Sequence, residues 1–490
     1  MSVLVIDVGT TTIRAASVTG EAAVTNLEMA TLPIQAPAPG LLEVDASTVA
    51  SEAMRLATRV IERSGTPECV GITNQRATTV VWDRDSGKPV APAIGWQDLR
   101  TVFRCLELHD LGYHIPPNAA ATKLEAILDA ADPDRTADLC FGTVDTWIAW
   151  NLSEGSAHIT DASNAAVTSL LDDKRDDAAR WDETILDTLK VPVAMLPRIT
   201  DSTGELGVAT ALPGAPAITA MLGDQQASLV GQGCTLPGLA KATFGTGGML
   251  DACTGTARPS FGPGVPGAGG TIPIIAWQQA GKPCWGVEAI MISAGSCIEW
   301  LREEMGIIES PAASEAIAAS VPDTAGVSFV PALMGLGSPL WDFGARAAFF
   351  GITRGTERGH LVRAVLEGIA HRGADLVQAA EADAGLHLAT LRVDGGMSSN
   401  RVFVQALADL AGLPVEVSRE REATTVGAGL MAGIGAGLWK DPAELAALYH
   451  PAHIVEPALS DAERDSARSC WLDARARAQA TVPELSAMQF

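Results

Sequence analysis

A carboxylate followed by a glycine-threonine turn stands near the start of the chain, in the segment Asp7-Val8-Gly9-Thr10-Thr11. Glycine lets a backbone approach phosphate oxygens, and the N–H groups and hydroxyls of such a turn suit phosphates that are bound together with Mg²⁺. Arg14 follows closely enough to reach the same phosphates. An ordinary hairpin turn with a solvated aspartate explains the same residues, so this motif leaves both interpretations open.

Two further glycine segments follow downstream. Gly245-Thr246-Gly247 stands between two segments of β type, as the first turn does, and this repeat predicts two domains of one topology. Two unrelated hairpins would give the same pattern. Asp394-Gly395-Gly396 ends an apolar strand, and Asn400 opens the next helix, where an anion is favoured. A simple strand-to-helix loop is the alternative there.

Asp224 is the candidate for proton transfer. It lies in Gly223-Asp224-Gln225-Gln226, directly after an apolar strand predicted over Ile218 to Leu222. Phosphoryl transfer to a hydroxyl needs a carboxylate that orients the hydroxyl and accepts its proton. Asp224 can supply that carboxylate, or it can cap the helix predicted over Gln225 to Gly231.

The elements that must hold these residues form an α/β pattern. Helices are predicted over Ser47 to Arg63, Ser296 to Glu304, Glu357 to Ala384, Asn400 to Ala411 and Thr424 to Gly437, and strands over Val70 to Thr73, Thr79 to Asp83 and Leu391 to Val393. Ser460 and Glu463 predict a capping box for a last helix that ends at Ala478. Gly255 to Gly270 is predicted to be a glycine- and proline-rich loop.

Composition narrows the class of protein. A chain of 490 residues is long enough for two or more domains. Its net charge of -24 argues against nucleic-acid and anionic-membrane partners, which need a basic surface. Eight scattered cysteines form no zinc or disulfide pattern, and neither a signal peptide nor a membrane-spanning run is found, so we expect a cytoplasmic protein.

Several ordered motifs carry a resemblance to a known family. They are Gly71 to Arg76, Trp96 to Thr101, Phe141 to Trp147, Gly223 to Gln226, Ala345 to Gly355, Leu366 to Ala370, Arg392 to Gly396 and Trp439 to Asp441. Together they resemble the FGGY carbohydrate kinases, and specifically their glycerol kinase branch, from about residue 3 to about residue 457. The resemblance implies an α/β fold of two actin-like (ribonuclease H-like) domains of similar topology, with a nucleotide cleft between them.

The resemblance also implies a domain plan and an activity. An N-terminal domain (1–234) would bind the polyol or sugar, a C-terminal domain (235–455) would bind the nucleotide, and a helical tail (456–490) would follow. The implied reaction transfers phosphate from ATP, with Mg²⁺, to a hydroxyl of glycerol or a related polyol. We expect a homodimer or homotetramer.

Family roles can be carried over where residues match. Asp7 resembles the metal-site carboxylate, and Asp224 resembles the general base. The nucleotide set implied by the resemblance comprises Thr10, Thr11, Thr12, Arg14, Gly245, Thr246, Gly295, Glu299, Gly396 and Asn400, with Glu299 in place of the expected glutamine. The polyol set comprises Arg76, Ala77, Trp96, Asn118, Asp224 and Gln225.

Two positions depart from the glycerol kinase pattern. Ala77 replaces a glutamate that accepts hydrogen bonds from glycerol, and Asn118 replaces a tyrosine. Loss of an acceptor for a buried hydroxyl costs about 1–3 kcal/mol, and both changes enlarge the pocket. Either a larger polyol or ketose (tetritol, pentitol, pentulose) is the acceptor, or a neighbouring side chain replaces the glutamate and glycerol is retained.

Two alternatives come from other functional classes. One is a catalytically inactive actin-like module that binds nucleotide as a regulator, although the presence of Asp7, Asp224 and all three glycine segments argues against it. The other is an ATPase of the actin or Hsp70 type without a sugar acceptor. That interpretation gives no purpose to Arg76 or Trp96.

Overall fold

The computed structural model describes residues 2–172, 179–261 and 266–488, which form two α/β units, each built on one mixed sheet. The N-terminal strands are β1 (Ser2–Val8), β2 (Thr12–Thr19), β3 (Val24–Thr31), β4 (Ile34–Gln35), β5 (Glu43–Val44), β6 (Cys69–Asn74), β7 (Val80–Asp83), β8 (Ala93–Ile94), β9 (Leu139–Gly142), β10 (Ile159–Asp161), β11 (Arg198–Thr200), β12 (Thr203–Val208) and β13 (Ala217–Gly223). The N-terminal helices are α1 (Ala46–Ser64), α2 (Val102–Asp110), α3 (Ala121–Ala131), α4 (Val144–Leu152), α5 (Ala162–Ala166), α6 (Glu183–Thr188) and α7 (Asp224–Gly231).

The C-terminal elements continue this numbering. The strands are β14 (Ala240–Phe244), β15 (Gly248–Gly255), β16 (Ile272–Gln279), β17 (Lys282–Met291), β18 (Ser328–Val330), β19 (Ala348–Phe350), β20 (Leu391–Asp394), β21 (Val415–Ser418) and β22 (Pro451–Val455). The helices are α8 (Gly295–Glu303), α9 (Ala313–Ala319), α10 (Arg358–Ala384), α11 (Arg401–Ala411), α12 (Ala423–Gly435), α13 (Asp461–Ala478) and α14 (Pro483–Ser486). Short 3₁₀ helices cover Val193–Met195, Gly396–Ser399 and Pro442–Leu448.

The two main sheets share one topology. In the N-terminal sheet, β1 pairs antiparallel with β2, β2 pairs antiparallel with β3, and β6 and β13 extend the sheet parallel to β1. In the C-terminal sheet, β14, β15 and β17 form the matching antiparallel series, and β20 and β21 run parallel to β14. The repeat predicted from the two glycine-threonine turns is therefore confirmed, and each turn joins the first two strands of its sheet.

The predicted elements are confirmed, with ends that shift by one or two residues. The capping box of Ser460 and Glu463 is present. One prediction is wrong: α13 is not the last helix, because α14 follows it. Pro483 starts α14, since the fixed backbone angle of proline suits the first turn of a helix. The loop predicted over Gly255 to Gly270 joins β15 to β16, and its residues 262–265 lie outside the described residues.

Helices from the two units cross without intervening side chains. A Cβ atom added to Gly231 of α7 would lie 1.9 Å from the carbonyl oxygen of Ala423, and one added to Gly427 of α12 would lie 1.8 Å from that of Ala227. Only glycine permits such an approach. Helix α12 also packs on the N-terminal sheet, where Thr219 donates a hydrogen bond to the Ala432 carbonyl. The glycine crossing thus joins the two units through backbone atoms.

A buried ion-pair cluster attaches α13 to α10. The Asp375 carboxylate accepts hydrogen bonds from Arg372 (2.7 Å) and Arg475 (2.9 Å), and it also accepts one from Arg468. Burial alone would raise the pKa of Asp375, but the three guanidinium groups outweigh it and lower the pKa to about 2. The indole of Trp471, also buried, stacks on His371 beside this cluster. Helix α13 is therefore an integral part of the C-terminal unit.

Asp375→Asn is expected to destabilise the protein by about 3 kcal/mol, because three guanidinium groups then lose their common counter-charge. Since the folded-state pKa lies below the ordinary value of 3.8, the Asp375 contribution is present above pH 3.8 and is lost as the pH falls toward 2. Urea unfolding between pH 7 and pH 3 measures both effects. Asp473→Asn, which breaks an exposed pair with Arg477 on the same helix, should change stability by less than about 0.5 kcal/mol.

Among the residues that the structure describes, no helix combines the length and apolar character that a membrane span requires.

Candidate active site between the two sheets

The first glycine-threonine turn brings Asp7 and Arg14 together. They face each other across β1 and β2, and Nη1 of Arg14 lies 3.2 Å from Oδ2 of Asp7. The Gly9 N–H donates to the Thr12 carbonyl at 2.9 Å and closes the turn. Nε of Arg14 also lies 3.4 Å from the carboxylate of Glu422, beside the start of α12. Arg14 therefore contacts both units.

Asp7 is a buried carboxylate at the end of β1. Burial raises its pKa to about 7, although the Arg14 guanidinium opposes this shift. In the described part of the chain the hydrogen bond from Arg14 reaches only Oδ2, which leaves Oδ1 open. No group of three or more His, Cys, Asp and Glu side chains within the described ranges is placed to hold a metal alone. Mg²⁺ in phosphate sites commonly uses one or two carboxylates plus water and phosphate oxygens, so the Asp7 site fits this ion.

The second turn is joined to the start of α8. Gly295 donates its N–H to the carbonyl of Gly245 at 2.8 Å, and Ala294 donates to the carbonyl of Thr246 at 2.9 Å. A Cβ atom at Gly295 would lie 2.5 Å from the Gly245 oxygen, so this close approach requires glycine. The structure thus brings together three of the predicted nucleotide residues. Glu299, one turn further along α8, forms an ion pair with Arg302 at 2.6 Å.

The third glycine segment lies beside the second turn, because β20 pairs parallel with β14. Gly395 has a φ of +87°, and a Cβ atom there would lie 2.4 Å from the carbonyl oxygen of Phe244, the last residue of β14. Gly396 begins the following 3₁₀ helix. Asn400 caps α11 by accepting from the Phe403 N–H at 3.1 Å, and its amide donates to Ser314 at 3.1 Å. Its predicted contact with the nucleotide stays a prediction.

Asp224 is the first residue of α7, and Gly223 occupies the N-cap position. The N-cap therefore stands one residue before the position that the capping alternative gave it, although the Asp224 carboxylate does accept from one N–H of the first turn. Its Oδ1 accepts from the N–H of Gln225 at 2.8 Å and lies 3.7 Å from Nε of Arg76. Burial raises the pKa of Asp224, although Arg76 opposes the shift. With 26% of its side chain exposed, the carboxylate is open to a ligand.

A buried polar network supports the backbone at Asp224. Gly223 donates its N–H to the hydroxyl of Ser163 at 3.0 Å, and Ser163 donates to Asp161 at 3.0 Å. Asp161 also accepts from Asn164, whose amide exchanges hydrogen bonds with Asn74. The sequence prediction missed this network. Four short polar residues among the five from Thr160 to Asn164 were the available signal.

Arg76 lies between carboxylates of the two units. Its Nη2 donates to Glu288 of β17 at 2.7 Å, while Nε faces Asp224. The Glu288 side chain is only 6% exposed, and burial raises its pKa although Arg76 opposes the shift. Glu288 was not predicted, because it lies 212 residues away from Arg76 along the chain. Arg76 is thus held at the unit boundary.

Gln225 is also held from the other unit. Lys241 of β14 donates to Oε1 of Gln225 at 2.6 Å and pairs with Asp251 at 2.7 Å. The side chains of Lys241 and Asp251 are fully buried. Neither residue was predicted, although a lysine within the apolar strand Ala240–Phe244 is a visible signal of a buried charge.

Trp96 connects the predicted polyol residues to the first turn. Its indole N–H donates to the hydroxyl of Thr10 at 3.2 Å, and its carbonyl accepts from the buried Lys123 at 2.9 Å. Ala77 is buried, with a φ of +63°. Asn118 is exposed in the segment that leads into α3. The structure thus joins Trp96 of the predicted polyol set to Thr10 of the predicted nucleotide set.

Comparisons with known proteins agree with this geometry. Residues 2–231 match the N-terminal domain of the FGGY family of carbohydrate kinases, and residues 240–436 match its C-terminal domain. A glycerol kinase of Aromatoleum aromaticum is 40% identical, with 98% of this chain and 99% of the relative covered. Glycerol kinase 2 of Thermotoga maritima is also 40% identical, over 90% of this chain and 91% of the relative.

A solved structure is similar over the whole fold. The crystal structure of Plasmodium falciparum glycerol kinase with ADP has a TM-score of 0.89 and 29% identity, and the match covers 100% of this chain and 99% of that one.

Proposed function

Because the chain belongs to the FGGY family of carbohydrate kinases, we propose that it transfers the γ-phosphate of ATP to a hydroxyl of glycerol or another short polyol. The enzyme is a phosphotransferase with an alcohol group as acceptor. The observation that carries the proposal is the open carboxylate of Asp224, at the boundary of two units that each present a glycine-threonine turn.

Asp224 accepts the proton of the acceptor hydroxyl. Burial raises its pKa, which makes it a better proton acceptor than an exposed aspartate. Arg76 and Gln225 flank this carboxylate and offer hydrogen-bond donors to the remaining hydroxyls. This arrangement orients one hydroxyl toward the donor phosphate.

The donor phosphates are held by backbone and hydroxyl groups of the two turns. The first turn contributes Thr10, Thr11 and Thr12, and the second turn contributes Gly245 and Thr246. Gly295 holds the second turn through its bond to the Gly245 carbonyl. Arg14 stabilises charge on the transferring group. Mg²⁺ at Asp7, when bound, neutralises charge on the phosphate oxygens. The remaining nucleotide residues that we propose are Glu299, Gly396 and Asn400.

Closure of the two units excludes water, because an open site would lose ATP to hydrolysis.

The matched ranges 2–231 and 240–436 support the proposed boundaries of an N-terminal domain (1–234) and a C-terminal domain (235–455), and the buried Trp471 attaches the proposed tail (456–490). A homo-oligomer and a cytoplasmic location stay predictions.

An ATP-coupled assay over glycerol, tetritols, pentitols and ketoses tests the function. We expect turnover with at least one short polyol. A pure protein that binds ATP and phosphorylates none of them would contradict the proposal and favour the nucleotide-binding regulator.

A larger polyol or ketose is the second candidate for the acceptor. Ala77 supports it, because this buried methyl group stands where a glutamate would fill the pocket and accept hydroxyl hydrogen bonds.

Ala77→Glu separates these two candidates. If the pocket binds glycerol weakly because the glutamate carboxylate is missing, the variant should lower the KM for glycerol by about 10-fold or more. A hydrogen bond to a charged group contributes about 1.5–3 kcal/mol. Steady-state kinetics with glycerol and a pentitol measure the change. Ala77→Leu is the matched control, because it fills the space without an acceptor. An unchanged or higher KM for glycerol in Ala77→Glu would count against this explanation.

A further inference from the structure

A row of charged side chains crosses the C-terminal sheet on the face that meets the N-terminal unit. Its members stand on neighbouring strands, each directly opposite the next, in the order Glu416 (β21), Arg392 (β20), Lys241 (β14), Asp251 (β15) and Glu288 (β17). Residues directly opposite each other on paired strands point to the same face. We call these residues the charged row.

Three members of the charged row contact the N-terminal unit. Lys241 donates to Gln225 at 2.6 Å, and Glu288 accepts from Arg76 at 2.7 Å. Arg392 donates to the carbonyl of Gln232. Lys241 and Glu288 belong to the unit that is proposed to bind the nucleotide, yet they contact Gln225 and Arg76, which flank Asp224.

The order of charges makes these contacts necessary. Two cations, Arg392 and Lys241, stand side by side, and so do two anions, Asp251 and Glu288. Buried charges are unfavourable unless they are paired and hydrogen-bonded. The pair of anions has one lysine within the row, and the second cation, Arg76, comes from the N-terminal unit. Each buried anion of the charged row thus has its own cation only when the two units are in contact.

Apolar residues would stabilise this sheet face at least as well, because replacing a buried ion pair by well-packed hydrophobic residues is often neutral or stabilising. The placement of Lys241 and Glu288 therefore calls for another role. Each fixes the orientation of one long side chain of the acceptor pocket, and long side chains lose rotamer freedom when they are held in this way.

We propose that Lys241 and Glu288 are positioning residues for the acceptor, which orient Gln225 and Arg76 so that the polyol pocket is complete only where the two units meet. The inference rests on the proposed function, in which Gln225 and Arg76 bind acceptor hydroxyls. Acceptor affinity then depends on the C-terminal sheet, while the glycine turns that hold ATP do not include either residue.

The test removes each contact and measures KM for glycerol, KM for ATP and kcat. Lys241→Met alone would leave Asp251 buried without a counter-charge, so the variant is the double change Lys241→Met with Asp251→Leu. Glu288→Met is the second variant. Each should raise KM for the acceptor about 10-fold or more and change KM for ATP less than about twofold. The single variant Lys241→Arg, which keeps the charge, should retain most of the affinity for the acceptor.

Glu416→Met is the matched control, since it removes an ion pair of 3.0 Å at the opposite end of the charged row and touches no acceptor residue. It should leave KM for the acceptor within about twofold. An equal increase in Glu416→Met, or a folded double variant with unchanged KM, would overturn the positioning role. If the double variant does not fold, Glu288→Met decides. A wild-type enzyme that phosphorylates no polyol would instead overturn the proposed function, and this inference with it.

Discussion

Asp224→Asn is expected to lower kcat for phosphoryl transfer by about 10²–10⁴-fold, the usual contribution of a general base, while ADP affinity stays within about twofold. An amide cannot take up the proton of the substrate hydroxyl, yet it keeps the size of the side chain and the hydrogen bond from the Gln225 N–H. The effect should fall on kcat, because the role of the carboxylate belongs to the chemical step. A coupled assay and an ADP titration measure the two quantities.

Asp45→Asn is the control for this substitution. Asp45 caps α1 through its side chain, and asparagine caps helices about equally well, so activity and stability should stay close to wild type. Full activity of Asp224→Asn would remove Asp224 from the mechanism. A parallel loss of ADP binding would show that Asp224 has a structural role.

Gly427→Val is expected to destabilise the protein by more than about 4 kcal/mol or to prevent folding. A Cβ atom at this position would lie 1.8 Å from the carbonyl oxygen of Ala227, and backbone cannot rotate away as a flexible side chain can. Valine would force α7 and α12 apart and would disturb the sheet beneath α12. Urea unfolding followed by circular dichroism measures the loss.

Gly355→Ala is the corresponding control. A Cβ atom there would meet only the Thr353 hydroxyl, at 3.8 Å, so the change in stability should be less than about 0.5 kcal/mol. If Gly427→Val unfolds at the wild-type urea concentration, the two helices are free to separate and the close crossing is not required for the fold.

Local patterns in the chain predicted a large part of this fold. The turn at Gly9 and Thr10 and the helix α10 are recognisable because glycine, capping residues and apolar spacing act over a few residues. The repeat of strand, turn and strand also predicted the common topology of the two sheets, because each copy carries its own turn.

Contacts between distant segments could not be predicted in this way. Glu288 meets Arg76 only after both sheets have formed, and Lys241 meets Gln225 across the unit boundary. Nothing within a few residues of either side chain specifies its partner. The bond between the Gly223 N–H and the Ser163 hydroxyl, which supports the backbone at Asp224, was missed for the same reason.

The glycine crossing of α7 and α12 has a mechanical consequence. Because backbone atoms meet at Gly231 and Gly427, the spacing of the two helices at that point is set by the chain itself and does not depend on side-chain rotamers. Helix α7 begins with Asp224, and α12 begins beside Glu422, the residue that contacts Arg14. The glycine crossing therefore fixes the position of the helix that carries the proposed proton acceptor relative to the helix whose start contacts the proposed phosphate-binding arginine.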